Sequence, residues 1–179
     1  MDELVAGRAA LTACRQVAAA LVPDDASKPT ACPDLDVQGV VVHLLGSLNT
    51  LGGAGGAAPN PTDGASPEAL IAAAGSAALD AWTDKGLDAE GEFPGGGTIP
   101  GRTAVGIIAI ELLVHAWDLA DATGHAVDAS PELADCVLGL AGTIIRPEAR
   151  DGQQFGTEVT VGPDANALDR LVAFTGRQP

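Results

Sequence analysis

The residues of this sequence with the clearest chemical potential are Glu111 and His115, in the segment AVGIIAIELLVHAWDLADATG. Nearly every residue from 104 to 117 is apolar, and a helix that is apolar on all sides is buried on most of them. A buried carboxylate without a partner is costly, so Glu111 needs a compensating group. His115 lies four residues later, on the same helix face. The pair is either a structural hydrogen bond or two ligands of one metal ion, which they can reach at roughly 2.0–2.2 Å.

Two further side chains are candidates for the same site. Asp118 follows His115 by three residues, where it could orient the imidazole of a metal-bound histidine or be a solvated residue near the helix end. His43, within VVVHLLGS, falls at the edge of an apolar helix face and therefore points into or along a seam between helices. His125 lies in a predicted turn, and we expect it to be exposed.

Arg102 and the three cysteines are weaker candidates for a functional role. Arg102 stands at the start of the most apolar helix, after a Gly/Pro-rich loop. It could bind an anionic substrate or be a solvated or ion-paired arginine. Cys14 and Cys136 fall in Ala- and Leu-rich helices, where buried, unreactive thiols are expected. Cys32 lies in a prolyl loop and is expected to be more accessible, but no neighbouring base is evident in the sequence.

Helical periodicity and capping signals predict the elements that position these residues. Asp36 is a predicted N-cap, Ser-Pro-Glu begins two helices at Ser66 and Ser130, and Gly124 is a natural residue to end a helix. The loop at 91–101 is too rich in Gly and Pro for regular structure. The predicted elements are helices over 3–22, 37 to the glycines at 52–56, 66 to about 85, 103–123, 130 to about 144 and 167–174, with an extended segment at 157–161.

Composition agrees with one helical domain over residues 1–179. Hydrophobic residues make up 46% of the chain and aromatic residues only 3%, so aliphatic side chains must build the core. Alanine-rich segments favour helix because alanine loses no side-chain entropy there. Four longer helices joined by glycine-rich loops indicate an up-and-down bundle with one or more long crossovers.

The net charge and the cysteines indicate which partners and which cellular compartment to expect. A net charge of −15 would repel a phosphate backbone or an anionic membrane, so neither is an expected partner. Three scattered cysteines without a CxxC pair are typical of a reducing compartment. The acidic N-terminus lacks the features of a secretory signal, and the apolar run falls short of a membrane span. We therefore expect a cytoplasmic protein.

The string TACPDLDVQGVVVHLLG, followed by GRTAVGIIAIELLVHAWDLADATG, resembles the N-terminal domain of mycothiol-dependent maleylpyruvate isomerases, in the DinB/YfiT-like metalloenzyme superfamily. The segment FGTEVTVGPDANALDRLVAFTGRQP resembles short, single-domain actinobacterial relatives. The resemblance implies an all-α, DinB-like four-helix bundle with long crossover loops, an additional helix and a short C-terminal extension. It also implies one divalent ion held by His43, Glu111 and His115. Zinc is the first expectation, and nickel or iron would accept the same ligands.

The function implied by the resemblance is a metal-dependent enzyme that uses a low-molecular-weight thiol such as mycothiol on a small electrophilic substrate. A homodimer is compatible with it. The isomerases themselves are longer and have a further C-terminal domain, so maleylpyruvate isomerisation is not expected here. Two alternatives stay open: a metal-binding module without catalysis, and a structural Glu–His contact without metal.

Overall fold

Six α-helices dominate the architecture of the computed structural model, which describes residues 1–150 and 155–179. The predicted helices are confirmed, with ends that differ by one or two residues for most of them, and so is the all-α class. The elements are α1 Glu3–Ala20, α2 Val37–Gly55, α3 Pro67–Lys85, β1 Glu90–Glu92, β2 Thr98–Pro100, α4 Gly101–Thr123, α5 Pro131–Ile144 and α6 Ala167–Phe174.

Local capping explains where the helices begin and end. The side chains of Asp36, Ser66 and Ser130 each accept a hydrogen bond from the backbone N–H three residues later, as predicted. Gly124 ends α4 with φ +76°, a left-handed conformation that glycine adopts without steric cost. These caps fix the first residues of α2, α3 and α5 and the last residue of α4.

Four helices form the bundle, in the spatial order α1, α4, α2, α3. Helix α1 packs against α3 and α4, and α2 packs against the same two helices. Consecutive helices α1 and α2 therefore lie on one diagonal, and α3 and α4 on the other. The connections over 21–36 and 86–100 cross these diagonals, which confirms the predicted long crossovers. Helix α5 packs mainly on α4, and α6 packs on α5.

Helix α4 is the central helix of the bundle. By length and composition alone it could cross a membrane, but 83% of the qualifying window is buried inside the protein. Its neighbours on several sides explain why its sequence is apolar around the whole circumference. A polar side chain on α4 is thus forced into the interior or into a cavity.

The loop at 91–101 forms a short antiparallel hairpin, so the prediction of irregular structure was wrong for its two ends. Gly91 pairs with Ile99, and a Cβ at residue 91 would lie 2.2 Å from the carbonyl oxygen of Ala54. The hairpin thus sits directly on the end of α2 and on Trp82, whose indole N–H donates to Leu51 O at 2.9 Å. This tertiary contact overrides the weak local preference of a Gly/Pro-rich segment.

The extended segment predicted at 157–161 forms no strand. Among the described residues, it is instead tied to the end of α6: the Val159 N–H donates to Ala173 O at 2.9 Å, and just before it the Gly156 N–H donates to Thr175 O at 3.3 Å. The Val and Thr residues of this segment favour a strand, but a strand also needs a partner strand beside it.

Two adjacent glycines near the end of α2 give a test of the packing. A Cβ at Gly52 would lie 2.9 Å from the Cβ of Ala78, whereas a Cβ at Gly53 would meet nothing within 4 Å. We expect Gly53→Ala to raise the free energy of unfolding by up to about 1 kcal/mol through helix propensity. Gly52→Ala should lower it, because overpacking costs roughly 1–3 kcal/mol. Urea unfolding of both variants measures the difference, and equal effects would contradict the α2–α3 packing.

Candidate metal centre

Helices α2 and α4 bring the three predicted ligands together. His43 lies two turns into α2, and its Nε2 atom is 3.4 Å from Oε2 of Glu111 on α4. The Nε2 atom of His115, one turn further along α4, is 3.6 Å from the same oxygen. The two imidazole rings meet edge to face with centroids 5.1 Å apart, and the three donor atoms lie within 4.8 Å of one another.

The Oε2 atom of Glu111 is buried and has no hydrogen-bond partner among the described residues. Distances of 3.4 and 3.6 Å exceed those of good N–H···O bonds, which are about 2.7–3.2 Å. They are close to the separation of roughly 3.3–3.4 Å between two ligand atoms of one tetrahedral zinc ion. The donor set, two imidazole nitrogens and one carboxylate, therefore fits a divalent ion better than it fits a hydrogen-bonded cluster.

A second layer of polar groups lies behind His115. Its Nδ1 atom is 2.8 Å from Oδ2 of Asp118, which is fully buried. Arg177 binds both oxygens of this carboxylate: Nε donates to Oδ1 at 3.0 Å and Nη2 to Oδ2 at 2.9 Å. Because Asp118 is an acceptor, it favours the His115 tautomer with the proton on Nδ1, which leaves Nε2 free to face Glu111.

Burial and contacts with neighbouring charged groups shift the pKa values of these residues in opposite directions. Burial lowers the pKa of His115, but the hydrogen bond to Asp118 and the proximity of Glu111 outweigh it and raise that pKa to about 9. Burial raises the pKa of Glu111, but the two histidines more than offset this and hold it below its usual range. The pKa of Asp118 is likewise lowered, against burial, by His115 and Arg177. Both carboxylates are therefore ionised, and a cation bound here would have to displace the Nε2 proton of His115.

A cavity of about 470 Å³ opens beside the three candidate ligands. His43 forms its accessible side, with 47% of its side chain exposed, whereas His115 lies at the buried side. The prolyl loop before α2 supplies another wall. The lining residues are Cys32, Pro33, Asp34, Leu35, His43, Ser47, Ile110, Glu111, Val114, His115, Phe155 and Arg177.

Arg102 does not reach this site. It lies nine residues before Glu111 on α4, about 13 Å along the helix axis. Its guanidinium pairs with Asp88 at 3.1 Å and with Glu3 at 3.3 Å. The suggestion that it meets an anionic substrate in the site is therefore replaced by its alternative, an ion-paired arginine.

Two residues of the site were not recognised from the sequence as its members. Arg177 sits in a polar C-terminal segment that carries no periodicity or motif, so no local signal pointed to it. Cys32 was expected to be accessible, and it does line the cavity, with its sulfur within 4.8 Å of donor atoms on His115 and Asp118. Burial and the Asp118 charge raise the pKa of Cys32, so its thiol stays protonated. Cys14 is fully buried, as predicted.

The raised pKa of His115 predicts a pH dependence of stability in protein freed of metal by a chelator. The folded pKa of about 9 lies above the ordinary value of 6.5, so the stabilisation is complete below pH 6.5 and is lost as pH rises through 9. We expect wild type to have a higher free energy of unfolding than His115→Gln at pH 6. This difference should shrink by up to about 3 kcal/mol between pH 6 and pH 10. Denaturant unfolding measures it, with the exposed His125→Gln as control. A pH-independent gap would contradict the pairing.

Comparison with known proteins places this chain in a protein family. A family model described as the mycothiol maleylpyruvate isomerase N-terminal domain matches residues 7–120. Two uncharacterized proteins of Mycobacterium tuberculosis, from strains CDC 1551 / Oshkosh and ATCC 25618 / H37Rv, are each 32% identical over 182 residues, which cover 99% of this chain and 98% of the relative.

A solved structure shares the fold. The crystal structure of a histidine-to-alanine mutant of the mycothiol-dependent maleylpyruvate isomerase aligns with a TM-score of 0.51 and 17% identity, over 76% of this chain. The alignment covers 66% of that isomerase, so the chain spans just under two thirds of its length. Since the family model covers more than half of the sequence, the resemblance is confirmed, and this chain belongs to the mycothiol maleylpyruvate isomerase N-terminal domain family.

Proposed function

We propose that this protein binds one divalent metal ion through His43, Glu111 and His115 and uses it to react a low-molecular-weight thiol with a small electrophilic substrate. One observation carries the metal proposal. A buried carboxylate oxygen that has no hydrogen-bond partner in the described part of the chain faces two imidazole nitrogens at 3.4 and 3.6 Å. A buried acceptor of this kind is costly unless a cation compensates it.

Zinc is the preferred ion because two histidines and one carboxylate are a familiar catalytic zinc ligand set. Three protein ligands leave a coordination position for water or substrate, and the adjoining cavity of about 470 Å³ provides the space. Nickel and iron tolerate the same ligands. Asp118 would orient His115 from behind, as metal-bound histidines commonly require.

The thiol part of the proposal is supported by the family and by the cavity. The related isomerase is described as mycothiol-dependent. A bound divalent ion would supply Lewis acidity, which favours the thiolate over the thiol. The chain itself contributes the binding space: Ile110, Val114 and Phe155 give apolar surface, and Ser47 offers a hydrogen-bonding hydroxyl. The reaction proposed is addition of the thiolate sulfur to an unsaturated electrophilic carbon: the sulfur–carbon bond forms as the carbon's π bond breaks, and the adduct takes up the proton that the thiol lost on ionising.

The partners in this proposal are small molecules. The net charge of −15 argues against nucleic acid and anionic lipid surfaces. A reducing cytoplasm, which keeps a low-molecular-weight thiol in its reactive form, is the compartment that we propose. A metal-binding module without catalysis is the competing function, and the two predictions below separate it from the enzyme and from a bundle that binds no metal.

Removing the Glu111 charge should abolish tight metal binding. Wild-type protein should hold one divalent ion per chain after loading and dialysis. We expect Glu111→Gln to weaken binding by more than the roughly 10–100-fold that loss of a supporting residue costs, while helical content stays unchanged. Elemental analysis and chelator competition measure both, and Glu92→Gln, at an exposed position, is the control. Full affinity in Glu111→Gln would exclude Glu111 as a ligand.

An open coordination position should accept a small thiol directly. In cobalt-loaded protein, added thiol should produce intense near-ultraviolet charge-transfer bands. The bands should strengthen as pH rises toward the thiol pKa of about 8.5, because the thiolate is the ligand. His43→Ala should abolish the bands by weakening the metal site. Cys32→Ser should retain them, which identifies the added thiol as the source of sulfur.

A cobalt spectrum that is unchanged by millimolar thiol would contradict the enzyme proposal. That result would indicate a closed site saturated by protein ligands, which is the property of a structural metal.

A further inference from the structure

A buried arginine from the C-terminal segment binds Asp118, the residue that contacts the candidate ligand His115. Arg177 is only 6% exposed and lies 59 residues after Asp118 in the chain. Its Nε and Nη2 atoms bind the two oxygens of Asp118, at 3.0 and 2.9 Å. Asp118 in turn lies 2.8 Å from Nδ1 of His115. Three side chains thus form one continuous polar chain that ends at a metal ligand.

A hydrogen-bonded turn after α6 holds Arg177 in this position. The chain turns after α6 at Gly176, with φ +94°, and the Arg177 N–H donates to Val172 O at 3.0 Å. A Cβ at residue 176 would lie 2.6 Å from the Cα of Gly156, so the two glycines allow the neighbouring segment to pack against the turn. Arg150 ties the same region together, because its Nη1 donates to Phe174 O and to Gly156 O.

The fork geometry of the guanidinium determines what Arg177 can do. Binding both oxygens fixes the plane of the Asp118 carboxylate as well as its charge, which a lysine ammonium cannot do with the same geometry. The Nη1 atom faces Thr175 O at 3.4 Å. With Nε and Nη2 bound to Asp118, Arg177 is arranged to hold a neighbouring side chain rather than to bind a substrate.

We propose that Arg177 is a positioning residue of the metal centre: it locks Asp118, which holds His115 with its proton on Nδ1 and with Nε2 toward Glu111. This inference rests on the proposed metal site and adds to it a requirement for a residue outside the matched family region of 7–120. The C-terminal segment therefore takes part in metal binding without touching the ion.

Arg177→Lys tests the inference because it keeps the positive charge and removes the fork. We expect the dissociation constant for zinc, measured by chelator competition, to rise by about 10- to 100-fold. Arg170→Lys is the matched control. Arg170 comes from the same part of the chain and pairs with Asp135 at 2.7 Å, but this pair lies at the surface, so the zinc affinity of Arg170→Lys should equal that of wild type. Thermal unfolding and near-ultraviolet circular dichroism verify that each variant is folded.

A second measurement reads the imidazole of His115 directly, and its first part uses wild-type protein only. The chain has three histidines, so histidine-labelled, zinc-loaded protein should give an easily assigned imidazole spectrum. We expect one ring with zinc on Nε2 and a slowly exchanging proton on Nδ1, and this proton should exchange faster in Arg177→Lys.

The outcomes separate the two proposals. Wild-type protein that binds no zinc would overturn the metal site and this inference together. Wild-type binding with equal affinity and equal Nδ1 proton exchange in Arg177→Lys would overturn only the role of Arg177. An unprotected Nδ1 in wild-type protein, with zinc bound, would do the same.

Discussion

The central physical constraint in this protein is a carboxylate inside its most apolar helix. Glu111 lies on α4, which is enclosed by neighbouring helices on several sides, and one of its oxygens has no hydrogen-bond partner among the described residues. An ionised group in such surroundings needs a compensating charge. The histidines of α2 and α4 flank it at distances that suit a shared ion better than hydrogen bonds. The bundle, with its two diagonal connections, is the scaffold that brings these groups together.

The need to balance buried charge also applies to the polar groups behind His115. Asp118 is fully buried, and its charge is balanced by His115 on one side and by Arg177 on the other. A buried ion pair is rarely a source of net stability, because desolvation offsets most of the attraction. Its value here is geometric: it determines which imidazole nitrogen faces the cavity. Helix α6 and the turn that follows it therefore contribute to the site as well as to the core.

The sequence predicted the parts of the site that follow from helical periodicity. Glu111 and His115 were recognisable because a carboxylate and an imidazole one turn apart interrupt an apolar helix. His43 was a weaker candidate from its place on the helix, since one histidine at the edge of an apolar face has several explanations, and the family resemblance strengthened it. The caps at Asp36, Ser66 and Ser130 are local interactions, and they were predicted correctly.

Features that depend on distant contacts escaped prediction. Arg177 has no local signal, because its role is created by a residue 59 positions away. The hairpin at 90–100 forms because it packs on Trp82 and the end of α2 rather than through strand propensity. The segment at 157–161 has strand-like alternation, yet it is tied to the end of α6 and forms no strand. For Arg102 the sequence left a substrate contact and an ion pair open, and the structure shows ion pairs with Glu3 and Asp88.

The most direct test of the metal centre is anomalous X-ray diffraction at the zinc edge from crystals of the zinc-loaded protein. We expect one strong peak per chain, roughly 2.0–2.2 Å from Nε2 of His43, an oxygen of Glu111 and Nε2 of His115. A peak bound elsewhere, for example by Cys32 and Asp118, or fully loaded protein without a peak between α2 and α4, would contradict the proposed ligand set.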